Sequence, residues 1–547
     1  MKTDKESNEV LNTVDLFLFA DHLMNSLLIH NANILSFHEG FKQKGFDCMF
    51  VEGNTIKAIG RYDDLKSLIH PHTIIINAAG KTLMPGFNDS HIHIWKVGSL
   101  KTYVLDVRNA LSLDEMLQMI KDYAAQYPDA AWVMARGFNE AAWIDGRLPN
   151  KDDLDKVVNN RPVHLLRTCA HIAVCNTNAI QTCGITATTI VPNGGYVYLG
   201  DDGKPNGIFA ETALGLITKH IPAYSKAQLK TMVQAAKEEM FRYGITAATD
   251  PACDPFLLQA YHEMNQADEL GFRLSAMPIV LPDGGTDAYP IPDYFSSPFM
   301  QINTVKFFSD GGLSGKTAAI KRHYKNTNEQ GLLRLDKEKY AALSMLAMQK
   351  NLSVATHAIG DAAIEFVIDV YKDLHNKFPY ISNRIEHLGL PEEKHLQHMA
   401  EYDIAASMQT IFIYELGKNF RKYIDDDYLN RCYPVRSVLN HGVTMALSSD
   451  APVVKNFNPL QGIATAINRK DNDGNVIAPG EGITITEALK AYTATAATLT
   501  KTNLFGSIKE GMLADFILLD KNPVTSADLS AIKVLQTYVD GKLVWNG

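Results

Sequence analysis

A chain of 547 residues, 46% hydrophobic and 21% charged, is long enough to bury an extensive core and exceeds one ordinary domain. Its formal net charge of -9 leaves no basic footprint and argues against a nucleic-acid partner. No apolar run approaches the roughly 20 residues of a membrane span, and the start, MKTDKESNEVLNTVD, lacks the basic-then-apolar order of a signal peptide. Six cysteines (Cys48, Cys169, Cys175, Cys183, Cys253, Cys432) without a C-x-x-C pair fit reduced, packed thiols better than a disulfide framework. The expectation is a soluble cytoplasmic protein with a small-molecule substrate and no membrane partner.

In chain order, the stretch VDLFLFADHLMNSLL reads as a packed extension, or as an amphipathic helix docked on its own domain or on a second subunit of a homodimer. From Leu27 to Thr82 the chain reads as short strands, LLIHNANILS, CMFVEGNTIKAIG and TIIINAAG, with Gly53-Asn54 as a hairpin turn. The C-terminus repeats that texture in DFILLD and VLQTYVDGKLVWNG, where Asp540-Gly541 predicts a type I′ turn. The two ends are expected to form one discontinuous β-sandwich, 1–84 with 500–547. Between 85 and 499, strands alternate with helices such as SLDEMLQMIKDYAAQY and KEKYAALSMLAMQK, each with one apolar stripe. A loop-rich stretch within 112–207 predicts an insertion covering the barrel mouth. The fold class is therefore α/β: a (β/α)8 TIM-like barrel with an insertion, plus the small β-sandwich.

Metal-grade ligands stand where strands should end. In KTLMPGFNDSHIHIW, alternation puts His91 and His93 on one side of the chain. Lys306 follows in TVKFFSD, His357 in LSVATHAIGD, His387 in SNRIEHLGL and Asp450 in VTMALSSDAPV. Each closes a short hydrophobic run, the pattern of a βα loop at the carboxyl edge of a barrel. Imidazole and carboxylate donors suit zinc and similar divalent ions. Taken singly, each residue is more often structural, a histidine as a hydrogen-bonded core residue and an aspartate before Ala-Pro as a turn former; the joint set reverses that. His70, His72, His375, His395, His398 and His441 lack such a context and are assigned to surface or packing, while Asp89 and Asp361 read as supporting or turn residues.

With GFNEAAWIDGRLPNKDDLD, RPVHLLRTCAH, GIFAETA, VKFFSDGGLSGKTAAI, HAIGDAA, RIEHLGL, SMQT, SSDAPV, ALKAYTATAA and GSIKEGMLADFILLD, these motifs resemble the amidohydrolase superfamily. The match is to the amidohydrolase family 3 branch that includes N-substituted formamide deformylases. The resemblance implies two divalent metal ions, with zinc the first expectation. His91, His93 and Asp450 would hold one, His357 and His387 the other, and a carbamate on Lys306 would bridge them. Burial at the end of VKFF favours the neutral amine that carboxylation needs, and an ion pair of Lys306 with Asp310 or another acid is the alternative. A water shared by two cations loses a proton near neutral pH, and Asp450 is then the general base. By resemblance His171 faces the site as an oxyanion stabiliser, or else it is a core histidine. Phe138 and Trp143 are expected to line the substrate pocket, or to pack under the insertion, and Tyr324 and Gln409 are weaker candidates for substrate contact. The loop Gly312-Leu313-Ser314-Gly315-Lys316 departs from the Ser-Leu-Gly-Ser-Arg pattern usual in the family, which touches specificity rather than the metal ligands. The reading is a hydrolase of a non-peptide carbon–nitrogen bond in a small amide, an N-substituted formamide or related N-acyl compound. A lactonase or cyclic amidohydrolase on the same site, and a non-catalytic scaffold, are the rivals.

Overall fold

The computed structural model describes residues 26–38, 45–144, 146–192, 194–282 and 287–547, and the segment VDLFLFADHLMN lies outside them. The chain divides into two compact units. One comprises the described residues up to Asn88 with Glu238–Ala247 and Ile485–Gly547; the other comprises Asp89–Lys237 and Ala248–Thr484. The first therefore takes in 238–247 and 485–499, beyond the 1–84 and 500–547 expected from sequence.

In the first unit, a four-stranded sheet runs Thr55–Gly60, Cys48–Glu52, Ser26–His30, Ile74–Asn77. A five-stranded sheet runs Asn33–Ile34, Thr82–Pro85, Phe516–Leu519, Val534–Val539, Lys542–Asn546. The two ends of the chain meet where Thr82–Pro85 pairs antiparallel with Phe516–Leu519. Leu27, Met49, Val51, Leu83, Phe516 and Leu518 share one core, so the alternating residues of both sheets bury a common face. At the last hairpin Asp540 and Gly541 both take positive φ (57° and 73°), as a type I′ turn requires. A Cβ on Gly541 would stand 2.5 Å from the carbonyl oxygen of Gly53, so this glycine lets the two hairpin turns touch.

The second unit carries the chemistry. Thr304–Phe308, Ser353–Ala358, Arg384–His387, Ala405–Met408 and Met445–Leu447 form a wholly parallel sheet. Nearly every residue in it is buried on both faces, which is what a sheet covered on both sides demands. Lys306, His357, Glu386 and His387 are charged or titratable exceptions inside those apolar runs. In this unit a second sheet runs Phe295–Ser296, Met300–Ile302, Arg273–Pro278 and the part of the strand Ile245–Cys253 from Ala248 onward. Ile279 bridges Lys306 in parallel, and at the other side Asp450 N donates to His91 O at 2.7 Å while His93 N donates to Ala451 O at 2.9 Å.

The region expected as an insertion builds a six-stranded sheet, Gly195–Leu199, Pro205–Glu211, Ile172–Cys175, Val163–Arg167, Val133–Phe138, Leu105–Asp106. Against it packs the helix Leu113–Gln126, whose start is capped by the Ser112 hydroxyl accepting from Glu115 N at 3.2 Å. Arg167, buried in this sheet, is held by Glu140 through two bonds of 2.8 and 2.9 Å, the bidentate pairing a desolvated guanidinium needs.

Behind the His357 strand, Gly360 opens the helix Asp361–His375. A Cβ there would lie 1.9 Å from the carbonyl oxygen of Ala319. Gly360→Ala should therefore lose about 3 kcal/mol in chemical denaturation. Gly480→Ala, whose added carbon meets no atom within 4 Å, should stay within about 0.5 kcal/mol of wild type. Equal stabilities for the two variants would contradict the packing described.

Candidate metal centre

His91 and His93 follow the short strand Phe87–Asp89. The Asp89 carboxylate accepts from His91 N at 3.2 Å and from Ser449 N at 3.1 Å, which ties the histidine segment to the segment that carries Asp450. Asp450 itself sits at φ 57°, a left-handed conformation that costs a non-glycine residue about 1–3 kcal/mol and concentrates at functional sites. The result is convergence: Asp450 Oδ1 lies 3.3 Å from His91 Nε2 and 3.3 Å from His93 Nε2. These three buried residues could hold a metal ion. Ligand atoms about 2.0–2.1 Å from a tetrahedral ion stand roughly 3.3 Å from one another, which matches the spacing of both histidines from Asp450.

Hydrogen bonds around three of the imidazoles, those of His91, His387 and His357, leave one nitrogen free on each. His91 Nδ1 donates to Glu386, which is fixed in turn by Arg384 Nε at 2.5 Å, leaving Nε2 for the Asp450 side. His387 Nδ1 is 2.7 Å from Gln409 Oε1. Gln409 spends its amide hydrogens on Ser448 Oγ at 2.8 Å and Ser407 O, so its oxygen accepts and His387 keeps a lone pair on Nε2. His357 Nε2 donates to the carbonyl of Gly311 at 3.0 Å, leaving Nδ1. Such partners orient metal-ligating histidines and set their tautomers. The His357 and His387 rings lie 4.4 Å apart by centroid, and those of His91 and His387 4.9 Å.

Burial moves the acid–base balance the same way. It lowers the pKa values of His93 and His387 to about 3 and that of His357 well below its ordinary value, so all three are neutral and basic at nitrogen near pH 7. For Asp450 burial acts upward, but the neighbouring histidines, His91 foremost, hold it well below the usual carboxylate range. Burial acts to lower His91, but Glu386 and Asp450 outweigh it and raise the pKa; a proton held there is what a cation displaces. Lys306 is fully buried, its Nζ has no hydrogen-bond partner and lies 4.8 Å from the centre of the Phe308 ring. Desolvation, against the pull of Glu386 and Asp450, brings its pKa down to about 8. Asp310 is not its partner: that carboxylate accepts from Gly360 N, Ala319 N and Ile359 N at 2.9, 3.0 and 3.1 Å.

These groups open on a cavity of about 300 Å³ walled by the four histidines, Asp450, Phe308, Phe412 and Tyr433. His171 also lines it, with Nδ1 3.1 Å from Glu211 Oε2. Burial lowers the His171 pKa, but the Glu211 carboxylate raises it above its usual value on balance. Glu211 is held at φ 54°, ψ -129°, outside the regions L-residues favour. The other four residues singled out from sequence do not reach the wall. Phe138 and Trp143 pack into the core of the six-stranded sheet, where Trp143 Nε1 donates to Ala110 O at 3.0 Å. Tyr324 is buried with its hydroxyl on Ala318 O at 2.8 Å, and Gln409 stands behind His387. Sequence reasoning missed Glu386 and Glu211. The first was signalled by Arg384-x-Glu386, two charges facing one way inside an apolar strand; the second had no local signal.

Glu386→Gln should weaken divalent-metal affinity by roughly 10- to 100-fold, read by competition with a chelator of known strength. Unchanged affinity would show that Glu386 does not orient His91.

A family model described as "Amidohydrolase family" matches residues 75–545. The protein YtcJ of Bacillus subtilis (strain 168) is 29% identical over 515 residues, 91% of this chain and 96% of that protein. The N-substituted formamide deformylase of Arthrobacter pascens is 26% identical over 546 residues, covering 95% and 98% of the two chains. Among solved structures, an uncharacterized metal-dependent hydrolase from Pyrococcus horikoshii OT3 superposes with a TM-score of 0.75 over 92% of this chain and 98% of that one, at 21% identity. The chain belongs to the amidohydrolase family, hydrolases of carbon–nitrogen bonds, and has the α/β fold of the metal-dependent hydrolases.

Proposed function

We propose that the protein hydrolyses a small amide, an N-substituted formamide or a related N-acyl compound, at a centre of two divalent ions, zinc by the chemistry of the donors. The observation that carries this is the meeting of His91, His93 and Asp450 at ligand spacing beside a buried Lys306 whose amine has no partner. His91, His93 and Asp450 would hold one ion and His357 and His387 the other, with Lys306 as a carbamate between them. A neutral, desolvated amine is what reaction with carbon dioxide requires. The parallel strands and the hydrogen bonds joining the Asp450 and His91 segments support reading the strand set as a closed eight-stranded barrel. The free cysteines are consistent with a reducing cytoplasm.

Divalent ions held by these residues would supply positive charge that makes the attacking water more acidic and the scissile carbonyl more electrophilic. Asp450 takes the proton of the attacking water as its oxygen bonds to the carbonyl carbon. It passes that proton to the leaving nitrogen as the C–N bond breaks. His171, held by Glu211, donates to the oxygen on which negative charge develops. The aromatic walls keep bulk water from the reacting carbon.

Chelation should abolish hydrolysis and zinc, manganese or cobalt should restore it; full activity in demonstrably metal-free protein would sink the proposal. Asp450→Asn should lose roughly 10² to 10⁴ in kcat, and a wild-type rate in that variant would move the base elsewhere. The pH profile follows from the His171–Glu211 pair. The donor is the imidazolium, present below the raised His171 pKa and lost as pH climbs through it. Glu211→Gln removes the raising charge, so the alkaline limb of kcat/KM should move to lower pH. An unmoved limb would take His171 out of the reaction.

A further inference from the structure

The strand Val133–Phe138 turns Met134 and Arg136 toward the cavity, and its parallel neighbour Val163–Arg167 turns His164 and Leu166 to the same wall, in register His164 with Met134 and Leu166 with Arg136. The intervening residues Val133, Val163 and Leu165 go to the core. Arg136 is 7% exposed and His164 is 4% exposed. Arg136 Nε and both ring nitrogens of His164 are buried without a hydrogen-bond partner. The contrast with Arg167 is direct: in the same sheet that guanidinium is paired with Glu140, whereas among the described residues no carboxylate forms an ion pair with Arg136, and Asp450 and Asp106 act on it only through space. The nearby Asp106 is already committed to Arg108, at 2.7 and 2.8 Å. Lys96 lines the same cavity, and among the described lining residues Asp450 is the one carboxylate, its Oδ1 3.3 Å from His91 Nε2 and from His93 Nε2.

A buried guanidinium with no acid beside it is strongly unfavourable in a protein interior. It persists where something else supplies the negative charge. We propose that Arg136, with His164 and Lys96 beside it, receives an anionic group of the substrate, so that the amides cleaved here carry a carboxylate or an equivalent anion. This rests on the hydrolase reading above and narrows it: the reacting amide is held at the histidine cluster while the anion sits at the guanidinium, in a fork geometry that suits carboxylate. Burial brings the pKa of Arg136 down to about 10, which still leaves it cationic at neutral pH.

The test compares kcat/KM of the metal-loaded enzyme for N-formyl-6-aminohexanoate and N-butylsuccinamate, each against its neutral carboxamide. The two acids place the anion on the amine or on the acyl side. Wild type should prefer at least one acid by roughly 10²-fold. In Arg136→Gln that ratio should fall toward unity, the change appearing in KM. Equal use of acid and carboxamide by wild type, or a preference retained in Arg136→Gln, overturns the proposal. Binding separates this from the reaction itself. Hexane-1-sulfonate, a poor metal ligand, should bind wild type at least tenfold more tightly than Arg136→Gln by calorimetry. Equal binding overturns the anion site, whereas absence of turnover on every amide with that binding difference intact overturns the hydrolase reading alone. Arg136→Gln should melt no lower than wild type, since it removes an uncompensated charge. A clear fall in Tm would make Arg136 structural and also overturn the proposal.

Discussion

The constraint on which the rest depends is the burial of ionisable groups at one place. His91, His93, His357, His387, Lys306 and Asp450 are all withdrawn from water, and proteins bury such groups only when they are paired or bind metal. Here the pairing within the protein is incomplete in one direction. Glu386, Gln409 and the Gly311 carbonyl occupy one nitrogen of His91, His387 and His357, so the other nitrogens point inward with their lone pairs and leave a deficit of positive charge. The parallel sheet exists in a form that can carry this deficit: strands buried on both faces fix Lys306 within one strand and His357 and His387 at the carboxyl ends of the next two. The turn at Asp450, with φ 57°, stores strain that a surrounding hydrogen-bond frame overdetermines.

What was legible in the sequence is what is local. Asp540-Gly541 specifies its turn through the φ values those residues tolerate, and His-x-His specifies a shared side through the pleat. The strand-end position of His357 and His387 follows from short apolar runs, because a residue type that rarely enters a core is conspicuous there; Lys306, expected at a strand end, lies in the middle of Thr304–Phe308. The surroundings of those residues are not local. Phe138 and Trp143 looked like cavity wall because an aromatic residue in a core and one in a pocket have the same neighbours in sequence; only the packing of the six-stranded sheet separates them. Gln409 was read as touching substrate when it fixes the tautomer of His387, and Glu211 is brought to His171 by the pairing of Ile172 with Ala210, across an intervening helix and strand, a pairing that no local periodicity encodes. The first unit likewise gains 238–247 from the middle of the chain, which composition at the termini cannot announce.

Two charged features of one sheet show how function is distinguished from stability. Arg167 with Glu140 is a compensated pair and holds the sheet together; Arg136, two residues from Phe138 on the adjacent strand, is not compensated. A chain with net charge -9 has carboxylates in excess, yet among the described residues none forms an ion pair with that guanidinium. The cavity thus combines a histidine and carboxylate cluster suited to cations with a cationic wall suited to an anion, and the two together bind a substrate by its ends more selectively than either could.

The central claim is that the histidines, Lys306 and Asp450 form one centre for two ions. Anomalous diffraction from crystals of active, zinc-loaded protein tests it most directly. The account predicts two anomalous peaks, one against His91, His93 and Asp450 and one against His357 and His387, with density continuing beyond Lys306 Nζ between them. An active crystal with no peak at these residues and a bare lysine amine would contradict it.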